Sequence, residues 1–371
     1  MMEKKVSWLL AASVGLLLLN PAVGAQGMAK EKMKKLMAVK RELPVPPPAG
    51  LFGAYAFPSK GQGMAGISYA HFSFEGLRMD TDSVSTNTVV STVANRFFGL
   101  PGMPPTLRVV PIKVDVDVAY PFANFAIGHD LALIGVAPVI RKEITFRTYG
   151  GSVGTTVLGD TTQTVQGLGD VKGGLLYRAH NDPIHHTLLI GVLSLPTGSI
   201  TKRGNLLTPA GTTQNVRMPY GAQLGTGTID AIVGGVYWGK KRNIGWGAQY
   251  YATVPLENKN ADGYRWGTKH EATAWASYLF MPQRVGVSAR IRGESQDSIH
   301  GMDPNIIGPG LGANPDNYGG DKVELSLGVN WSFMPGQNIS VELAKPVYQD
   351  RNGVQPDHDF SLFASWRVGF F

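Results

Sequence analysis

Residues 322–333 read KVELSLGVNWSF. Every second position is apolar: Val323, Leu325, Leu327, Val329, Trp331 and Phe333. The positions between carry Lys322, Glu324, Ser326, Asn330 and Ser332. A period of two marks a strand whose faces meet different surroundings. The same alternation recurs at 114–120 (VDVDVAY), 244–254 (IGWGAQYYATV), 284–292 (RVGVSARIR) and the C-terminal 360–371 (FSLFASWRVGFF). Twelve such segments are expected, near 63–77, 108–120, 129–148, 168–180, 185–197, 223–238, 243–256, 269–280, 283–296, 321–333, 338–348 and 358–371.

The links between them alternate in length. Those after even-numbered segments are mostly short (HNDPI, GKKRN, MPQ, MPGQ). Those after odd-numbered segments are mostly long, at about 79–107, 149–167, 198–222, 257–268 and 297–320, with QDRNGVQPD intermediate. Short periplasmic turns and long outer loops are the mark of a transmembrane β-barrel, and closure satisfies every backbone amide inside lipid. Aromatic residues near the segment ends, among them Tyr120, Trp238, Trp246, Tyr278, Phe280, Trp331 and Trp366, suit the membrane interface. A secreted sandwich or propeller would also give many strands but not these aromatics. The expected class is therefore all-β: a transmembrane antiparallel up-and-down β-barrel of about twelve strands, preceded by a short helical and Pro-rich periplasmic arm.

Composition narrows the rest. The chain has 371 residues and no cysteine, so disulfides and thiolate metal sites are excluded. Its net charge of +7 comes from scattered basic residues that build no nucleic-acid module. Lys4 and Lys5, the apolar run 8–19 and the small residues 23–25 read as a signal peptide over 1–25. Residues 26–60 read as an arm, with a basic helix at 28–42 followed by LPVPPPAG (43–50), and 61–371 as the barrel. The simpler expectation for the arm is a mobile, solvated leader. The sharper one is a periplasmic arm or a plug inside the pore.

Several stretches resemble one family. They are Gly167-Leu168-Gly169-Asp170, Leu195-Pro196-Thr197-Gly198, LGTGTID (224–230), MDPN (302–305), NPDNYGG (314–320) and VELAKPVYQDRNGVQPDHDFSLFASW (341–366). In order and spacing they are similar to the outer-membrane transporter family named for the meta-pathway degradation of phenol. The resemblance covers residues 165–371 well and 60–164 loosely. It implies an outer-membrane barrel of a Gram-negative bacterium that passes small, often hydrophobic or aromatic molecules. It carries over no catalytic residues.

With the apolar set facing lipid, the alternate set faces the lumen. That expectation covers Lys113, Asp115, Asp117, Lys172, Arg178, Gln249, Glu271, Arg284, Arg290, Arg292, Glu294, Lys322, Glu324, Glu342 and Arg367. They would either pair to stabilise a narrow barrel or line a selective pore. An unbalanced cluster of Arg284, Arg290 and Arg292 beside Lys322 would favour anions. Trp366, Val368, Phe370 and the final Phe371 form the terminal aromatic signal read by outer-membrane assembly machinery, with Phe370 in register.

Other chemistry is weaker in the sequence. The Asx-rich loop 302–321 reads as turns rather than a calcium site. His185 and His186 point to opposite faces and would not chelate, and neither a metal nor a cofactor is expected. His358 between two aspartates would need a positioned partner to act as a base. The expected function is passage of small molecules through a charge-lined lumen. The alternatives are a non-transporting scaffold bound to a periplasmic partner through 26–60, and a barrel enzyme. The expected partners are outer-membrane lipid, the assembly machinery and the solute.

Overall fold

The computed structural model describes residues 45–51, 57–280, 284–334 and 336–370. The signal peptide and the helix expected at 28–42 lie outside them.

The chain is built from strands. They are β1 (Gly63–Asp80), β2 (Asp82–Val84), β3 (Val109–Ala126), β4 (Leu131–Val136), β5 (Val139–Tyr149), β6 (Val157–Leu168), β7 (Val171–Asn181), β8 (His185–Leu195), β9 (Arg203–Leu207) and β10 (Thr213–Arg217). There follow β11 (Asp230–Lys241), β12 (Ile244–Pro255), β13 (Tyr264–Arg265), β14 (Lys269–Phe280), β15 (Val285–Gln296), β16 (His300–Gly301), β17 (Gly320–Met334) and β18 (Gln337–Phe370). One short helix, α1 (Thr86–Thr92), is capped by Ser85, whose hydroxyl accepts the Thr88 N–H at 3.0 Å.

Among the described residues, eleven strands close a ring in the order β1-β18-β17-β15-β14-β12-β11-β8-β7-β4-β3 and back to β1. All pairings around it are antiparallel. β18 is 34 residues long and would span roughly 110 Å if straight. Yet the Gly369 N–H donates to the Gly336 carbonyl at 2.9 Å. The strand therefore folds back at Asn352-Gly353, where Gly353 has φ +61° as such turns require. Its first half pairs with β17 and its second half with β1. The wall is thus crossed twelve times, as the alternation predicts.

The strand faces are inverted relative to a water-soluble protein. On β17, Leu327 is 73% exposed while Asn330 is 1% exposed. Leu325, Val329 and Trp331 share the outer face, and Lys322, Glu324, Ser326 and Ser332 are buried inside. On the closing strand Ser361, Phe363, Ser365 and Arg367 point inward, while Trp366 and Phe370 are exposed. Apolar area facing outward is stable only in lipid.

Three expectations need correction. The link 149–167 is not a loop: β5 and β6 form a hairpin, and the Thr- and Gln-rich β6 (VLGDTTQTVQGL) alternates too weakly in polarity to be recognised. Second, Lys113, Asp115 and Asp117 do not line the lumen. Val114, Val116 and Val118 take the inner side of β3, where Val114 packs on a cluster containing Ile144 and Phe146. The aspartates on the outer side meet His71, Tyr69, Ser73 and Arg141. They sit above the apolar outer belt of this strand, so no lipid forces them inward. Third, Arg284 is in the turn before β15 with φ +58° and is not on the wall.

The closing pair aligns Gly63 with Phe370, Ala65 with Val368 and Ile67 with Trp366. A Cβ at Gly63 would lie 2.6 Å from the Phe370 ring, so the ring covers the first residue of β1. Phe371 lies outside the described residues. Phe370→Ala is expected to reduce the heat-modifiable, folded outer-membrane fraction more than removal of Phe371 does. Equal or reversed yields would contradict the register.

Candidate functional site

The inside of the ring has two chemically different walls. One is apolar. Ala132, Ile134, Leu176, Leu188, Ile190, Val192, Ile232, Val236 and Trp275 form a single buried cluster on β4, β7, β8, β11 and β14. β8 is the plainest case, with Leu188, Ile190 and Val192 inside and Leu189, Leu193 and Leu195 exposed outside. Its apolar run LLIGVL is legible in the sequence, but a rule that puts apolar residues outside and polar ones inside misses its inner half.

The opposite wall is charged. On β15, Arg290 Nε donates to Glu342 Oε1 at 2.6 Å, and both side chains are at most 2% exposed. Ser326 also donates to that oxygen. Arg292 reaches Glu271 (2.5 Å), Glu294 (2.5 Å) and Glu324 (3.0 Å). Lys269 meets Glu271 at 2.8 Å, and Lys322 meets Glu324 at 3.4 Å. Every expected cation of β15 and β17 is therefore answered by a carboxylate. The unbalanced arginine cluster that would favour anions is not there, because Glu271 and Glu342 reach in from neighbouring strands. Removing one partner of such a buried pair strands the other charge.

Between the walls runs the Pro-rich segment. Val45 lies against Gly245 and Pro46 against Gly286, both near the short-turn end. Ala49 packs with Ala70, Ala344 and Phe363. The Gly50 N–H donates to Glu342 Oε2 at 2.8 Å. Leu51 and Phe57 rest on the apolar cluster, and Arg178 covers the Phe57 ring at 4.7 Å. The described segment thus starts near the short-turn end and turns at Ala49-Gly50, and Phe57 lies beside Arg178 near that same end. The solvated leader is not what residues 45–51 form. Proline fixes φ in advance and lowers the entropy lost on ordering. Glycine lets the tip approach closely, since a Cβ there would stand 2.5 Å from the Arg290 guanidinium and 3.1 Å from Phe363, and both would have to shift.

A cavity of about 320 Å³ remains beside this loop. It is bounded by Leu51, Phe72, Phe122, Ile134, Val136 and Ile232 on its apolar side and by Lys172, Lys269, Glu271, Arg292 and Arg367 on its polar side.

Above the ring the long connections fold over one another. Phe97, Tyr220, Tyr264, Ile299, Ile306 and Ala313 form a cluster, tied by Arg217 to Asp262 at 2.9 Å and Asp303 at 3.2 Å. Burial pushes the Tyr220 hydroxyl up to about 12. Asp303 caps its own turn by accepting the Asn305 N–H on Oδ1 at 2.7 Å, while its Oδ2 faces Arg217 as an ion pair. At the other end, the His185 and Ile184 N–H groups hold the Asp182 carboxyl well below the usual carboxylate range. His185 stacks on Tyr237 and His186 on Trp238.

His358 sits 3.0 Å from the Ser361 hydroxyl and 3.6 Å from Glu324, a spacing that resembles a nucleophile–base–acid series. Its hydrogen bonds give it a different role. Lys322 Nζ, which can only donate, lies 3.3 Å from Nδ1, and the Phe360 carbonyl, which can only accept, lies 3.1 Å from Nε2. The proton is therefore on Nε2, the nitrogen that would have to take one from Ser361. All three side chains are buried, and they knit the upper wall together.

No family model matches the chain, and no curated protein matches it in sequence. Solved structures do match. An outer membrane channel from Pseudomonas putida F1 superposes with a TM-score of 0.53 at 13% identity, over 86% of this chain and 98% of that one. The Pseudomonas putida toluene transporter TodX gives 0.41 at 9% identity, over 84% and 91%. At these identities the likeness is one of fold: the chain is a β-barrel of outer-membrane type.

Glu342→Ala is expected to cost about 3–5 kcal/mol by leaving Arg290 unpaired in the interior. The double change Arg290→Met with Glu342→Leu should cost less. Thermal unfolding followed by gel mobility checks the order, and a double change worse than the single one would contradict it.

Proposed function

We propose that the protein is an outer-membrane channel for small hydrophobic molecules, gated by residues 45–51. The observation that carries this reading is the inward-facing apolar wall beside a cavity of about 320 Å³. A barrel for polar solutes has a polar, water-filled interior, and burying Leu188, Ile190 and Val192 around a lumen gives such a path nothing. An apolar compound desolvates favourably there at about 25 cal/mol per Å². The resemblance to the phenol meta-pathway family supports the same substrate class.

In this reading the charged wall is structural and holds the gate. Its paired groups fix the barrel shape and present Glu342 to the Gly50 N–H. Arg290, Arg292, Glu294, Lys322 and Glu324 shape the lumen without selecting the solute. Arg178 holds Phe57 at the short-turn mouth. Opening requires the loop to leave the site, breaking one hydrogen bond to a carboxylate and withdrawing Leu51 from the apolar cluster. Residues before 45 would carry that signal, by binding a periplasmic partner.

The test is permeation into proteoliposomes. Deletion of 45–57 is expected to raise the uptake of a monoaromatic hydrocarbon relative to the full chain while a disaccharide gains far less. Equal gains for both would contradict a hydrophobic path, and no change for either would contradict the gate.

A further inference from the structure

The charged residues of the lumen differ in one respect. Lys269, Arg290, Arg292 and Lys322 each have a carboxylate within 4 Å. Among the described residues Lys172, on the inner side of β7, does not. Its ammonium has one hydrogen-bond partner there, the Asp170 carbonyl at 3.4 Å.

Asp170 and Asp230 attract it from beyond ion-pair distance, and their oxygens are engaged by other groups. Asp170 accepts the Gly198 N–H at 2.9 Å and the Thr226 N–H at 2.7 Å. Asp230 accepts the hydroxyls of Thr228 at 2.6 Å and Thr226 at 3.0 Å. Both serve to pin the 198 and 226 loops to the wall. Lys172 meanwhile lines the 320 Å³ cavity together with Ile134, Val136 and Ile232. An ammonium held against apolar side chains with no carboxylate in contact is costly. A ligand that supplied the counter-charge would offset that cost.

We infer that the cavity takes amphiphiles with an apolar body and an anionic head, the head on Lys172 and the body against Ile134, Val136, Ile232 and Phe122. This rests on the hydrophobic-channel reading and narrows its substrate class. The size is suitable: a cavity of about 150 Å³ holds benzene, so 320 Å³ leaves room for one ring, or a medium alkyl chain, with a carboxylate. A cationic head finds no free partner, since Glu271 is shared by Lys269 and Arg292.

The test uses the full chain in phospholipid nanodiscs, with empty discs as the partition control. Binding of nonanoate, nonanol and nonylamine is measured by calorimetry for the native protein, Lys172→Gln and Lys172→Arg. Nonanoate is expected to bind about 10-fold more tightly than nonanol. Lys172→Gln should bring nonanoate to the nonanol value without changing nonanol, and Lys172→Arg should keep the preference. Heat-modifiability confirms that each variant is folded. Nonanoate binding no better than nonanol, a preference that survives Lys172→Gln, or tightest binding of nonylamine would each overturn the inference while leaving the channel reading intact. Failure of all three probes to bind the native protein would overturn both.

Discussion

The structure depends on closing a sheet so that no backbone edge is left in lipid. An unsatisfied amide there costs several kcal/mol, and the register from Gly63 to Phe370 removes that cost along the seam between the first and last strands. Closure also divides the side chains. Because neighbours alternate sides, a strand that places Trp331 and Leu327 in lipid must place Asn330 and Ser326 inside. The interior therefore inherits polar groups whether or not a solute needs them, and the protein satisfies them with Arg290–Glu342 and the Arg292 network.

Against that background the other half of the lumen is informative. β8 over 188–193 and β11 over 232–236 are apolar on both faces, so alternation alone did not produce their inner side chains. An apolar inner wall, a loop laid across it and a cavity between them are the observations on which the proposed passage of hydrophobic molecules rests. The charged wall completes the device by holding the loop tip at Gly50, where no other residue fits without displacing Arg290 or Phe363.

Much of this was legible in the sequence, for identifiable reasons. KVELSLGVNWSF showed its period because its two faces meet lipid and charge, the sharpest contrast available. Asn352-Gly353 marked a turn inside what is otherwise one extended run. Legibility fell where the contrast vanished. β6 is polar on both faces over 160–164, and β8 is apolar on both over 188–193. VDVDVAY misled because its alternation is clear but its facing depends on height: above the apolar belt Asp115 and Asp117 can stay outside while the valines pack inward. The place of VPPPAG could be offered only as one of two expectations, since its partners Arg290, Glu342 and Phe363 lie about 240 to 310 positions away in the chain. Lys172 was legible as a lumen residue, but the absence of a carboxylate in contact with it among the described residues appears only in the structure.

The central claim is that the loop at 45–51 lies inside the barrel. The chain has no cysteine, so introduced thiols report cleanly. Ala49 shares a buried cluster with Ala344, whereas Ala274 lies on the outer groove of the wall. In outer-membrane preparations a short bis-maleimide should link Ala49→Cys to Ala344→Cys and leave Ala49→Cys with Ala274→Cys unlinked. Failure of the first pair to link, with Ala49→Cys reacting as fast as a thiol on a soluble leader, would contradict the account.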